Sequence, residues 1–403
     1  MSTALITMVG WALAALCVIA ALPVLVLLVQ VALSGSARAL RSASPPARDA
    51  SLDVAVLIPA HNEALGIAAT VRNVRAQLRD GDRVLVVADN CSDATAAMAR
   101  DAGAEVVERS HASERGKGYA LDFGVRHLAL RPPAMVLIVD ADCTLDPGSV
   151  DFLADACRRS GRPAQALDEM EAPAGAGLRA RVSAFAWRVR NRVRPFGWRR
   201  IGVPCQIMGT GVAFPWPLLR DAPLASGHIV EDVKLGVDLA LAGHPPVFEP
   251  RARVSSEFPV SESAASAQRR RWEHGNLAVM LRHGPRLLWA AVRRGDARLA
   301  AMAADLMVPP LALLTQLQLA LLIVAALGAL LGSGVLALTI ASASVAALTL
   351  AILRAWHIAG QDVIGWSELV LTAPAYVVRK FPMYIAFLWK RESSWVRAKR
   401  EGE

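Results

Sequence analysis

The sequence has 403 residues, 54% of them hydrophobic, and a mean hydropathy of +0.36, which excludes an ordinary soluble globular protein. Yet 20% of the residues are charged and the formal net charge is +9, so the chain is not wholly intramembrane either. That balance fits one large soluble domain flanked by membrane segments. The positive charge fits anionic lipid better than nucleic acid, for which no recognition module or base-stacking pattern is visible.

In chain order, residues 4–33 carry no charged side chain. About 30 helical residues reach roughly 45 Å, enough to cross a bilayer. The run is too long for a signal-peptide core and no Lys or Arg precedes it, although Ala37-Arg38-Ala39 is a loose cleavage-like site. Residues 1–36 are therefore expected to form a transmembrane helix and 37–52, rich in Ser, Pro and Ala, a linker. Arg38, Arg41 and Arg48 follow the run, which puts the N-terminus outside and the next domain in the cytosol.

Residues 53–275 read as that domain. Apolar, β-branched runs at 54–58, 83–87, 105–107 and 135–139 alternate with helix-like stretches ending at 78, 102 and 128. Buried strands alternating with helices predict an α/β domain with a largely parallel sheet. Beyond it, residues 276–299 are expected to form an interfacial helical connection. Residues 300–354 hold two transmembrane helices, turned at Gly332-Ser333-Gly334, with Arg293, Arg294, Arg298 and Arg354 keeping both ends inside. Residues 355–403 are interrupted by Glu368, Pro374, Arg379-Lys380 and Pro382 and end in a basic tail, so they are expected to be interfacial or re-entrant with the tail cytosolic. The five scattered cysteines, without CxxC or zinc spacing, fit a reducing cytosol.

Polar residues cluster where the strands end, which is where ligands bind in open α/β sheets. Asp140-Ala141-Asp142 directly follows an apolar strand; two carboxylates one residue apart can converge on Mg²⁺ or Mn²⁺ completed by substrate phosphates, or simply form a strand-end turn. Asp89 ends the second strand, where a carboxylate can accept a base or ribose hydrogen bond. Ser92 or Asp93 after it serves the site or simply caps the helix that follows, and His61-Asn62-Glu63 has the same placement as Asp89, after the first strand. Lys117 stands between Gly116 and Gly118 before a helix, suited to phosphate, although the motif is not a Walker A. Glu231-Asp232 opens a helical run, where acids favour the dipole. Gln268, Arg271 and Trp272 lie in a helix near the membrane, as an interfacial face or a diphosphate clamp. Residues 179–200 carry eight arginines among apolar residues, a pattern for a lipid surface or a solvated face. Gly209-Thr210-Gly211 permits close approach of an acceptor, or makes a plain turn.

Taken in order, Pro59-Ala60-His61-Asn62-Glu63, Asp89, Lys117, Asp140-Ala-Asp142, Glu231-Asp232 and Gln268-x-x-Arg271-Trp272 resemble the membrane-integrated family 2 glycosyltransferases, such as cellulose, hyaluronan and ceramide-glucosyl synthases. The motifs span residues 54–272 and have membrane segments on both sides. The resemblance implies a GT-A fold, a nucleoside diphosphate sugar donor, UDP-linked, and inversion at the sugar. It implies that Glu63 and Asp89 hold the nucleoside, Lys117 approaches the diphosphate and Asp142, with Asp140, engages the metal. Asp232, beside Glu231, would be the general base, and Gln268, Arg271 and Trp272 would close over the diphosphate. Many relatives have Asp-Asp where this chain has Ala88-Asp89. Few spans favour a lipid or lipid-linked acceptor over a processive polysaccharide synthase. A non-catalytic membrane-tethered scaffold is the competing class, and a bacterial inner membrane is the expected location.

Overall fold

The computed structural model describes residues 3–35, 44–49, 51–227, 230–259 and 261–389. Arg38 and Arg41 of the linker, Ile229 and the basic tail from Lys390 to Arg400 lie outside them.

Helix α1 (Thr3–Leu33) takes up the N-terminal apolar run. Strands β1 (Val54–Ala60), β2 (Arg83–Asp89), β3 (Glu105–Arg109) and β4 (Met135–Ile138) lie parallel in the order β3-β2-β1-β4. Their apolar runs are continuous because both faces are covered. Val54, Val56 and Ile58 pack against α2 (Ile67–Arg75) and α3 (Thr95–Asp101), whereas Ala55 and Leu57 pack against α4 (Lys117–Leu128).

The second half of the sheet departs from the parallel expectation. It comprises β5 (Thr144–Leu145), β6 (Ala164–Glu171), β7 (Val212–Pro215) and β8 (Val247–Glu257), and the eight strands run β3-β2-β1-β4-β7-β6-β8-β5. β7 is antiparallel to both β4 and β6, β6 is parallel to β8, and β5 is antiparallel to β8. Between them come α5 (Ser149–Ser160), α6 (Leu178–Arg188), α7 (Arg194–Arg200), α8 (Trp216–Arg220) and α9 (Glu231–Leu241). A single π-helical turn, Val189–Val193, joins α6 to α7.

Helix α10 (Glu262–Arg294) runs through position 275 without a break, and α11 (Ala297–Leu306) starts afresh on the Asp296 carboxylate, which accepts from the Arg298 and Leu299 amides at 2.9 Å. The apolar run from 300 is thereby divided: Leu299, Met302 and Leu306 of α11 pack against α9 and α10, and α12 (Leu311–Leu330) begins only after Pro309-Pro310. With α13 (Leu336–Ala359), α1 and α12 are the three helices, among the described residues, long and apolar enough to cross a membrane. Residues 366–389 form three short helices, α14 (Trp366–Leu371), α15 (Ala373–Arg379) and α16 (Phe381–Trp389), broken where Pro374 and Pro382 lack an amide to donate.

The arginine-rich stretch 179–200 faces protein partners. Phe185, Val189, Val193 and Phe196 are buried. Arg181 bonds Glu368 at 2.7 Å, Arg188 bonds Asp362 at 2.8 Å and Arg192 bonds Glu169 at 3.2 Å. Arg194 is the centre of a lock between the sheet domain and the apolar helices: its guanidinium reaches Asp305 at 2.7 Å and Gln30 at 3.2 Å, and Gln206 reaches Asp305 at 3.3 Å. One turn on, Gly197 lies so near α1 that a Cβ would stand 2.0 Å from the Gln30 carbonyl oxygen. Gly197→Ala is therefore expected to destabilise the detergent-purified protein by about 1–3 kcal/mol, the usual cost of overpacking. A thermal unfolding midpoint unchanged from wild type would contradict this backbone approach.

Candidate active site

Each strand of the parallel half ends in a polar loop, and these loops open on one side of the sheet. At the ends of β1 and β2 the chain turns through left-handed asparagines, Asn62 (φ 55°) and Asn90 (φ 53°), a conformation Asn tolerates better than most side chains. Their amides then tie loops together: Asn62 Oδ1 accepts from the Ser92 amide at 2.7 Å, and Asn90 Oδ1 from the His111 amide at 2.9 Å. Asp89 is buried, and its carboxylate takes a 2.8 Å hydrogen bond from Arg109. His61 Nδ1 stands 2.7 Å from the Asp89 carbonyl. The Glu63 amide donates to Thr95 Oγ1 at 2.7 Å.

Gly116, at φ 120°, turns the chain into α4 so that Lys117 is its first residue, two earlier than the helix-like pattern indicates. Lys117 Nζ pairs with Asp140 Oδ1 and donates to the Gly209 carbonyl at 2.8 Å. Burial works against its charge, but Asp140, Glu231 and Asp232 outweigh that and hold the ammonium above its ordinary pKa. Asp140 keeps 34% of its side chain open to the cavity yet lies deep between its walls. Burial pushes its pKa up, Lys117 pulls it back in part, and Asp142 adds to the rise. The Asp140 amide donates to Thr210 Oγ1 at 3.0 Å. Asp142 is exposed to the cavity.

Glu231 and Asp232 form the first turn of α9, where acids favour the dipole, and both line the cavity. Burial, then Asp232, raise the Glu231 carboxyl well above its ordinary value. Gly209 (φ 99°) packs so close that a Cβ there would stand 3.1 Å from Asp232 Oδ2. The first turns of α10 present Gln268, Arg271 and Trp272 to the same cavity. Trp272 packs on Trp187 with ring centroids 5.1 Å apart. Burial lowers the Arg271 pKa while Glu231 and Asp140 favour its charge. Gln268 Oε1 is buried with no hydrogen-bond partner among the described residues, an acceptor suited to a ligand hydroxyl.

All ten residues singled out from the sequence, Glu63, Asp89, Lys117, Asp140, Asp142, Glu231, Asp232, Gln268, Arg271 and Trp272, line one cavity of about 680 Å³. Among the described residues no three His, Cys, Asp or Glu side chains converge as a metal cage. The donor set for a cation is thus the sparse oxygen pair of Asp140 and Asp142, which suits a hard ion whose remaining ligands are phosphates and water.

Sequence reasoning missed four residues around this cavity. Arg109 faces Asp89 because the two are register partners across β3 and β2; a strand-end Arg opposite a strand-end Asp is the signal. Asp168 lines the cavity from the middle of β6 and accepts from Asn191 Nδ2 at 3.0 Å; burial holds its pKa well above the usual carboxylate range. Arg190 and Asn191 are neighbours in sequence, and the π turn lets both reach the cavity.

A parallel half-sheet with carboxylates at its strand ends, extended by antiparallel strands and closed by a helix carrying Gln, Arg and Trp, defines a sugar-nucleotide-type α/β fold. The family model described as glycosyltransferase like family 2 matches residues 51–275, and the chain belongs to that family. Among solved structures, it is similar to a mannosyltransferase from Pyrobaculum calidifontis in complex with GDP-Man and Mn²⁺, with a TM-score of 0.54 and 18% identity, covering 96% of this chain and 100% of that one. It is also similar to glucosyl-3-phosphoglycerate synthase from Mycobacterium tuberculosis in complex with Mn²⁺, UDP-glucose and phosphoglyceric acid, at 21% identity, TM-score 0.41, covering 59% of this chain and 85% of that one. The fold is the GT-A type. No curated protein matches the chain.

Lys117→Met removes the one cation paired with Asp140 and is expected to cost about 1–3 kcal/mol, the penalty for a buried polar group left without its partner. Thermal unfolding of Lys117→Met beside Lys117→Arg checks this: equal midpoints for wild type and the Met variant would remove the pair from the stability account.

Proposed function

We propose that the chain is an inverting, metal-dependent glycosyltransferase that moves a sugar from a nucleoside diphosphate sugar, UDP-linked, to a lipid or lipid-linked acceptor. The observation that carries this reading is the convergence of ten motif residues, spread over positions 63–272, on one cavity in a family 2 domain. Glu63 and Asp89 hold the nucleoside, with Arg109 fixing the Asp89 carboxylate. Lys117 and Arg271, which both feel the charges of Asp140 and Glu231, face the diphosphate. Asp142, with Asp140, holds Mg²⁺ or Mn²⁺, the ions present with the nucleotides in similar structures. When bound, the ion supplies positive charge to the leaving diphosphate.

Asp232 is the general base. It takes the acceptor proton while the acceptor oxygen bonds to the anomeric carbon and the diphosphate departs with the bonding electron pair. Glu231, kept protonated by burial and by its neighbour's charge, spares the site a second adjacent anion and stays available as a donor. Lys117 and Arg271 offset the charge that develops on the leaving oxygen. Trp272, seated on Trp187, frames the acceptor path.

Three helices fit to cross a membrane support an integral membrane location, and the arginines after α1 support an outside N-terminus with the catalytic domain in the cytosol of a bacterial inner membrane. So few spans also support single transfer over extension of a polymer.

Two measurements test the assignment. Asp232→Asn is expected to lower turnover by about two to three orders of magnitude with nucleotide binding retained; near-normal turnover would remove Asp232 from the base role. Chelation with EDTA is expected to abolish transfer and added Mn²⁺ or Mg²⁺ to restore it, assayed with a panel of nucleotide sugars and a bacterial lipid extract. Full activity in EDTA would refute the metal dependence.

A further inference from the structure

Beside the catalytic cavity lies a second one of about 530 Å³, walled by apolar residues of α1, α12 and α13 such as Leu27, Leu311, Leu319 and Ile352. The two share eight lining residues as a common wall, among them Trp187, Arg190, Asn191, Trp272 and Asn276. Among the residues that line the second cavity, Leu319 of α12 is 43% exposed, Val370 of α14 47% and Val378 of α15 66%, and Thr349 of α13 and Pro374 of α15 are exposed as well. They mark a mouth bordered by α12, α13 and the short helices. One end of the cavity thus opens beside a helix long and apolar enough to cross a bilayer, and the other meets the chamber that holds Asp232. Water gains few hydrogen bonds in such a space, whereas a hydrocarbon chain fills it favourably.

The charge of the catalytic cavity restricts what such a chain can carry. Nine carboxyl residues line it against three permanent cations, Lys117, Arg190 and Arg271. Asp89 and Glu171 have arginine partners outside the lining, Arg109 and Arg253, and Glu231 holds its proton, which leaves six carboxylates against three cations and the one divalent ion that Asp140 and Asp142 would share with the donor. A donor diphosphate draws on those same cations. A phosphate-headed acceptor would bring further negative charge into this field, and near pH 7 it is largely deprotonated, with little use for a base. A hydroxyl brings no charge and has the proton that Asp232 takes.

We infer that the second cavity seats the apolar chain of a lipid acceptor whose head is an uncharged hydroxyl, delivered past Trp272 to Asp232; this rests on the glycosyl transfer proposed above. The acceptor oxygen bonds to the anomeric carbon, the bond from that carbon to the diphosphate oxygen breaks with its electron pair leaving on the diphosphate, and the hydroxyl proton passes to Asp232.

The test uses the full-length protein in detergent and a long-chain alcohol with a photoactivatable diazirine near its chain end, beside the phosphate monoester of the same chain. Crosslinks are mapped by mass spectrometry. The alcohol is expected to label peptides of α12 and α15, and labelling is expected to fall by about tenfold or more in Ala312→Trp and in Ile352→Trp, which fill the cavity. Leu317→Trp, on the outer side of α12, keeps wild-type labelling and shows that a bulky residue on this helix is tolerated. Equal labelling of wild type and both cavity variants, or stronger labelling by the phosphate than by the alcohol, overturns the inference. Hydrolysis of nucleotide sugars by the same preparations is measured separately. Its absence from wild type that still labels would refute the transfer reading and leave the lipid site standing.

Discussion

Crowding Asp140, Asp142, Asp168, Glu231 and Asp232 around one cavity costs desolvation and mutual repulsion, and Lys117 offsets part of that cost at Asp140, Glu231 and Asp232. Its position follows from the local chain: a glycine at φ 120° starts α4 so that the first side chain of the helix points to the end of β4, where Asp140 meets it. The same ammonium holds the Gly209 carbonyl, and Gly209 in turn abuts Asp232. One cation therefore links the end of β4, the Gly209 loop and the first turn of α9. Glu231, unable to share that cation equally, accommodates by binding its proton more tightly.

The cavity and the apolar helices are a single mechanical object because α10 belongs to both. Its first turns carry Gln268, Arg271 and Trp272. Directly after Trp272, Glu273 is held by Lys380 and by the Tyr384 hydroxyl of α16. The short C-terminal helices thus brace this wall of the cavity, and the interruptions at Pro374 and Pro382 give them the bends needed to stay beside it.

What was legible in the sequence has a physical pattern. β1, β2 and β4 are buried on both faces, so their residues form unbroken apolar runs that end abruptly at Pro59, Asp89 and Asp140. β6 and β8 were not legible because they bury charge: Asp168, Glu169 and Glu249 sit in strands at 3% exposure or less. Asp168 and Glu169 are tolerated through partners distant in sequence, Asn191 on Asp168 and Arg192 and Arg253 on Glu169, while Glu249 is held by Arg251 two residues further along the same strand. Arg109 was missed because its relation to Asp89 exists only across a strand register. The basic stretch 179–200 read as a surface because its carboxylate partners, Glu169, Asp305, Asp362 and Glu368, are scattered over the chain. The long apolar run after 300 concealed a helix boundary because α11 and α12 are both hydrophobic, although one packs on the soluble domain and the other does not.

The lock formed by Gln30, Arg194 and Asp305 bears on how such a chain is made. Its members leave the ribosome in that order, separated by 164 and 111 residues. The first helix is synthesised, and available for insertion, long before the sheet exists. The sheet domain can then form while Arg194 still waits for its carboxylate. Docking is completed only when Asp305 emerges, just ahead of α12, so the final seating of the enzyme on its helices coincides with entry of the last spans. A soluble fragment cut at the ends of the sheet domain would keep Arg194 and lose both of its partners, which makes the membrane helices part of the domain's own folding and not merely its anchor.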